Sequence, residues 1–298
     1  MTGDTAFFFI ADGDHLTAQA ILLAASLRFH NGPAPQLLAY LPDATPTDLP
    51  SPVRAAFEAL GVDALRLDTD PSIWKTPYPH GNKLFACAAP RQAERQVFLD
   101  SDMVCVAPLD TGVIGKDALA VVPEGTPTWG KGNDRWDRVY AHFGLPLPRD
   151  RVRLVRRRRI EFLPYFNAGM VGFHRDFGAA GRGFGQLWLD TAREIDRDVA
   201  VAQKRPWLDQ VALPVALKRY GLGYDVLPDA WNFSISDRAF EPEAAPALIH
   251  YHSFRFAAEW PQVRAELARM AHTLGPALME TLVPLFGQHW FRAPQPAQ

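Results

Sequence analysis

The first hundred residues alternate bare apolar runs with stretches of helical period. Ala6-Phe7-Phe8-Phe9-Ile10-Ala11 is continuously apolar and stops at Asp12-Gly13-Asp14, the signature of a strand buried on both faces. Residues 15–29 then carry Ala18, Ile21, Leu22, Ala25 and Leu27 near helical spacing, closed by Asn31-Gly32-Pro33. The same reasoning predicts strands over 36–41 and 62–67, with a helix over 52–60 that Gly61 ends. Residues 82–93 predict a helix, and Val97-Phe98-Leu99 predicts a bare strand running into Asp100. Strands alternating with helices imply a mostly parallel sheet with helices on both faces.

The pattern changes after a strand over 119–122. Residues 123–150 are rich in Gly, Pro and Trp and show little periodicity, so an irregular insertion is expected there. Further strands are expected over 166–173, 224–227 and 247–251, with helices over 184–196 and 207–220. Residues 262–286 read as two amphipathic helices broken at Gly275-Pro276, and the tail from 293 to 298 reads as frayed. No internal repeat and no linker interrupts the chain, which predicts one domain.

Composition narrows the class. Apolar residues make up 48% and charged residues 21% of 298 residues, ordinary globular usage with enough chain for a large core. A net charge of −2 argues against a protein that coats nucleic acid. Cys87 and Cys105 alone make no disulfide framework and suit a reducing compartment. No apolar run reaches the roughly 20 residues that span a bilayer, and the first residues lack a basic stretch of the kind that opens a signal peptide. A soluble, cytoplasmic protein is expected.

Four segments carry candidate chemistry. In Val97-Phe98-Leu99-Asp100-Ser101-Asp102, an extended backbone would point both carboxylates to one face at the C-terminal edge of the sheet, where open α/β sheets bind ligands. A divalent cation would relieve their repulsion, and a turn in which both cap backbone amides fits the same letters equally well. Leu248-Ile249-His250-Tyr251-His252 is a short strand ending in two histidines. Imidazole joined to two carboxylates suits Mn²⁺ better than Mg²⁺, although a strand-end histidine is more often hydrogen-bonded structure. Tyr165-Phe166-Asn167-Ala168-Gly169-Met170-Val171-Gly172 puts small residues inside an apolar strand, marking close approach by a ligand or a packed neighbour. Asp209-Gln210 opens a helix, where an acidic residue is ordinary capping chemistry.

Taken in order, these segments resemble the retaining glycosyltransferases of family 8, with the GT-A fold, over roughly residues 6–260. The resemblance implies an α/β, Rossmann-like mixed sheet in a single domain over 1–298. Its nucleotide-binding half would cover about 1–120, an acceptor and sugar half about 121–260, and C-terminal helices about 261–290. It also implies transfer of a sugar from a nucleotide-diphospho-sugar, UDP-sugar by expectation, to a saccharide or lipid-linked acceptor with retention at the anomeric carbon. By the resemblance Ala11, Asp12 and His15 hold the nucleobase, Lys83 contacts the donor, and Asp100, Asp102 and His250 bind Mn²⁺ or Mg²⁺. Asp100 and Ser101 also face the donor. Asn167, Ala168 and Gly169 lie beside its sugar, Asp209 takes the sugar hydroxyls and Gln210 sits under the anomeric carbon. The chain departs from the family at Ser253, where Gly is usual, and lacks the Lys-Pro-Trp that normally follows; Arg255 and Trp260 are the available stand-ins. Lys83 stands where Arg is usual, which loses a bidentate donor.

Arg149, Arg151, Arg153, Arg156, Arg157, Arg158 and Arg159 form a basic stretch. It reads first as a solvated edge, and second as a patch for a phosphorylated or lipid-linked acceptor or for anionic headgroups in peripheral membrane contact. No aromatic residues interleave it, so nucleic acid is not an expected partner. Two other readings remain open at this level. A non-catalytic nucleotide-sugar binding module would share the fold, and a Mg²⁺-dependent phosphohydrolase would share Asp-x-Asp but expects a later acidic pair that the chain lacks.

Overall fold

Strand β1 (Thr5–Ile10) is buried at every position, as an apolar run after Thr5 demands, and leads through Asp12 into helix α1 (Gly13–Asn31). The structure is a computed structural model and describes residues 4–43, 49–156, 159–236 and 238–291; the tail read as frayed lies outside them. Strand β2 (Gln36–Pro42), helix α2 (Ser51–Leu60) and strand β3 (Val62–Leu67) follow. Next come α3 (Asn82–Ala88), β4 (Arg95–Leu99), β5 (Met103–Cys105), β6 (Ala118–Pro123) and α4 (Arg135–His142). The short strands β7 (Val152–Arg153) and β8 (Glu161–Phe162) pair before the long β9 (Phe166–His174). A hairpin of β10 (Gly178–Ala179) and β11 (Arg182–Gly183) enters α5 (Phe184–Asp198), then α6 (Leu208–Tyr220) and β12 (Gly223–Val226). The chain closes with β13 (Phe233–Ser234), β14 (Leu248–His250), α7 (Phe254–Ala257) and α8 (Pro261–Phe286).

These elements group into two compact units, each built from separated stretches of chain. The first comprises Met1–Leu67, Leu99–Asp110 and Ala230–Gln298; the second comprises Asp68–Phe98 and Thr111–Asp229. In the first unit β1, β2 and β3 lie side by side and parallel. Helix α1 is buried continuously from Thr17 to Leu27, which explains why its apolar residues exceed a single stripe. Helix α8 packs against α1 and α2 and is broken at Gly275, whose φ of 76° no helix accepts. A second small sheet runs β13-β14-β5, with β14 antiparallel to β5.

In the second unit the strand order is β12-β6-β9-β4, parallel between β12 and β6 and antiparallel between β6 and β9. Helix α5 packs on α3 and α6. At Gly185 a Cβ would meet the Cys87 carbonyl oxygen at 2.0 Å, so only glycine lets α5 approach α3 this closely.

Two expectations change. The helix expected over 82–93 stops at Ala88, because Pro90 holds Ala89 in extended backbone at φ −62°, ψ 139°. The stretch expected to be irregular contains α4, which buries Trp136, Val139 and Tyr140. Its three apolar anchors are too few to stand out among the flanking Gly and Trp residues. Among the described residues no helix is long and apolar enough to cross a membrane.

Candidate functional site

Strand β4 ends at Leu99, and the chain turns at once: the Met103 amide donates to the Asp100 carbonyl at 3.2 Å. Of the two backbones the letters left open, extended or turned, it is a turn that presents the carboxylates of Asp100 and Asp102. The antiparallel register pairs His250 with Met103, and the Tyr251 amide donates to the Asp102 carbonyl at 3.0 Å. That pairing carries the imidazole to the carboxylates. His250 Nε2 lies 3.2 Å from Asp102 Oδ1 and 4.0 Å from Asp100 Oδ2, and one ligand atom from each residue falls within 4.8 Å of the others.

The donor set fits a divalent cation. Two carboxylates bring two negative charges, and both are only partly exposed, at 25% and 21% for their side chains. His250 is buried, and its Nδ1 lies 2.9 Å from the Asn232 side-chain oxygen. An Nδ1–H donated to that oxygen leaves the Nε2 lone pair facing the carboxylates, the orientation a metal-ligating imidazole needs. Asn232 went unnoticed in the sequence because a lone Asn ahead of a short strand carries no pattern.

In the same unit the Ser101 hydroxyl donates to the Ile10 carbonyl, tying the acidic turn to the end of β1. Ala11 is buried there, Asp12 is half-buried and His15 is exposed on the first turn of α1. Gly13, at φ 63°, makes the sharp entry from β1 into α1 that places Asp12 at the strand end.

The second unit gathers the remaining residues singled out above. Lys83 on α3 pairs with Asp209 on α6 at 3.0 Å, with side chains 9% and 7% exposed. Lys83 Nζ also donates to the Ala168 carbonyl at 3.3 Å and lies 5.5 Å from the Phe98 ring centroid. The other carboxylate oxygen of Asp209 accepts from the Tyr78 hydroxyl at 2.9 Å. Trp207 is the cap of α6, and the Asp209 side chain spends its bonds on Lys83 and Tyr78 instead of on the helix start. Burial and the negative charge of Asp209 push the Tyr78 hydroxyl well above its ordinary pKa.

Gln210 is half-buried, and its Oε1 accepts from the Tyr165 hydroxyl at 2.9 Å. Tyr165 has one proton, so the Thr128 hydroxyl 2.7 Å away is the donor in that bond. Asn167 Nδ2 donates to Glu124 Oε2 at 3.0 Å, while its Oδ1 accepts from the Gly169 amide at 2.9 Å. Close approach in β9 comes at Gly172, where a Cβ would meet Ile114 at 2.9 Å. Tyr78 and Glu124 had no sequence signal, and Tyr165 stood only at the head of the β9 segment with no role assigned; each becomes notable through its partner. In the arginine stretch, Arg151 donates to the carbonyls of Pro148, Arg149 and Asp150, and Arg156 lies along Gly125. Arg157 and Arg158 lie outside the described residues.

The α/β architecture, with an acidic pair and a histidine gathered at the end of a sheet strand, is that of the GT-A fold. The chain belongs to the Rhodobacterales glycosyltransferase domain family, which it matches over residues 7–221. It is similar in fold to the galactosyltransferase LgtC in complex with donor and acceptor sugar analogs. The TM-score is 0.57 at 15% identity, covering 93% of this chain and 100% of that one. The apo bifunctional glycosyltransferase WbbM gives 0.57 at 14%, covering 94% of this chain and 51% of WbbM. The glycosyltransferase GlyE of Streptococcus pneumoniae TIGR4 gives 0.53 at 19%, covering 99% and 66%. No curated protein matches the chain.

Proposed function

We propose that this glycosyltransferase moves a hexose from a UDP-sugar to an acceptor hydroxyl with retention, using a divalent cation, Mn²⁺ in preference to Mg²⁺, held by Asp100, Asp102 and His250. The observation that carries the reading is the convergence of two carboxylates with an imidazole whose far nitrogen is tied to Asn232. LgtC, with donor and acceptor sugar analogs bound in its structure, supports a nucleotide-sugar donor and a saccharide acceptor. The reading extends to a cytoplasmic protein whose acceptor is a saccharide, free or lipid-linked.

A divalent ion at that cluster supplies positive charge against the charge that builds on the leaving diphosphate. The residues of the chain do the rest. Asn232 holds the His250 ring in the ligating tautomer, and the backbone pairing of β14 with β5 keeps it beside Asp102. Ala11, Asp12 and His15 receive the base, with Ser101 and Asp100 against the donor. Lys83 brings an ammonium to the donor, and Asp209, fixed by Lys83 and Tyr78, accepts from sugar hydroxyls. Asn167, Ala168 and Gly169 line the sugar. Tyr165 fixes the Gln210 amide, whose oxygen stabilises the cationic anomeric carbon of the transition state.

A thermal-shift series with UDP-, GDP- and dTDP-sugars, with and without Mn²⁺, tests this reading. UDP-sugar with Mn²⁺ at 100 times Kd should add about 2.7 kcal/mol of stability, and Asp102→Ala should abolish the gain. Protection by UDP-sugar that ignores Mn²⁺ and persists in Asp102→Ala would remove the metal assignment. Release of free sugar on incubation separates an enzyme from a binding module.

A further inference from the structure

Arg205 precedes the segment that enters α6, and its side chain grips the stretch of chain that leads into Tyr78. Its Nη2 donates to Asp196 Oδ2 at 2.7 Å, and the same carboxylate oxygen accepts from the Lys75 amide at 2.7 Å. Asp196 is buried in the last turn of α5, so this pair is a fixed anchor. Nη1, the other arm of the guanidinium, donates to the carbonyls of Thr76 and Pro77 at 2.6 and 2.7 Å and to the Thr76 hydroxyl. Residues 75–77 are thereby clamped just ahead of Tyr78, and the guanidinium carbon lies 4.9 Å from the Tyr78 ring centroid. The backbone that carries Arg205 is itself held. Lys204 donates to the Ile195 and Val199 carbonyls at the end of α5, at 2.9 Å each, and the Trp129 indole donates to the Gln203 carbonyl at 2.6 Å.

The clamp acts on Asp209 through the Tyr78 hydroxyl. That oxygen accepts from the Asp209 amide at 3.2 Å, and its single proton has two acceptors in reach, Asp209 Oδ1 at 2.9 Å and the Pro206 carbonyl at 3.0 Å. The carboxylate is the stronger acceptor. A positive charge close to the ring makes the phenol a better donor to it, and the charge of Arg205 opposes the upward push that burial and Asp209 give the Tyr78 proton. Lys83 takes the other oxygen of Asp209 at 3.0 Å. The carboxylate is therefore fixed at two points, one of which Arg205 controls. A planar fork suits the task, since a single ammonium cannot reach Asp196, Thr76 and Pro77 together.

We infer that Arg205 is a positioning residue for recognition of the donor sugar: through Tyr78 it sets the Asp209 carboxylate that meets the sugar hydroxyls. This rests on the role given to Asp209 above. The test uses the full chain with Mn²⁺ and compares, by calorimetry, affinity for UDP with affinity for UDP-glucose and UDP-galactose, melting temperatures being recorded alongside. Arg205→Lys keeps a positive charge for Asp196 and gives up only the fork, which guards against a variant that fails to fold. It should weaken binding of the preferred UDP-hexose about tenfold, the size expected when a hydrogen bond to a charged group is lost, and leave UDP within about twofold. Arg205→Gln should lose at least as much. Tyr78→Phe should show the same pattern, and adding Arg205→Lys to it should cost less than about twofold more, because residues on one route do not add. A residue that only stabilises the fold would lower the melting temperature and leave the ratio of the two affinities as in wild type.

A ratio unchanged in both Arg205 variants but lost in Asp209→Asn would overturn the inference and leave the role of Asp209 standing. A full second loss in the double variant would overturn the route through Tyr78. A ratio that survives Asp209→Asn would overturn both readings, as would a wild type that holds UDP and both UDP-hexoses alike.

Discussion

Aspartate serves opposite ends in the two units. In the first, Asp100 and Asp102 stand together within 4.8 Å of His250, a concentration of negative charge in partly exposed positions. In the second, Asp209 is buried and its charge is met by Lys83 at 3.0 Å and by the Tyr78 hydroxyl at 2.9 Å. One cluster sets two carboxylates beside one imidazole; in the other, the charge of Asp209 is met inside the protein by Lys83 and Tyr78. The difference teaches what an uncompensated charge costs: neutralising an aspartate should move stability in opposite directions at the two places.

The strongest break of that contrast is at the ion pair. Lys83→Met or Asp209→Leu leaves one buried charge without its partner and should cost about 3–5 kcal/mol. The double substitution should recover much of the loss, since neither charge is then stranded. Urea unfolding of the two single variants and the double variant measures this directly. A sum of independent losses in the double variant would show that Lys83 and Asp209 do not act as a pair.

Alkali sharpens the comparison through other groups. Burial raises the Cys105 thiol from 9.0 to about 12, and burial also raises Tyr251 in the first unit and Tyr78, Tyr140 and Tyr165 in the second. These groups stay protonated in the folded chain while the unfolded chain loses its protons. Their contribution is therefore full below the unfolded pKa and is lost as pH rises through the folded one. Stability should fall by about 1.4 kcal/mol per pH unit for Cys105 alone above pH 9, and more steeply above pH 10 as the tyrosines join. Melting curves from pH 8 to 11 should show the first slope flattened in Cys105→Ala; an unchanged slope would place the loss elsewhere.

The smallest effect is expected at the acidic cluster. In a chelator, Asp100→Asn should raise stability by ~1 kcal/mol, because it removes one of two like charges, those of Asp100 and Asp102, at 4.0 and 3.2 Å from the same imidazole. With saturating Mn²⁺ the order should reverse, wild type melting above the variant. A variant that melts lower in chelator would mean that the Asp100 carboxylate supports the fold as Asp209 does.

Much of this was legible in the residues alone. Apolar runs gave β1, β4 and β9, helical spacing gave α1, α2, α5 and α6, and Gly275-Pro276 marked the break in α8. These are local consequences of side-chain period and backbone sterics, so a window of a few residues contains them. The Asp-x-Asp at 100 and 102 and the late histidines were likewise visible as letters. Their meeting was not, because it depends on the register that sets His250 opposite Met103 across a long stretch of chain. Only the folded chain returns residues from 230 onward to the unit that holds Asp100. Only packing could select Asn232 to orient His250, Tyr78 and Lys83 to hold Asp209, or Tyr165 to hold Gln210. A polar side chain acquires such a role from its partner, and which partner it meets is decided by tertiary geometry that no local period encodes.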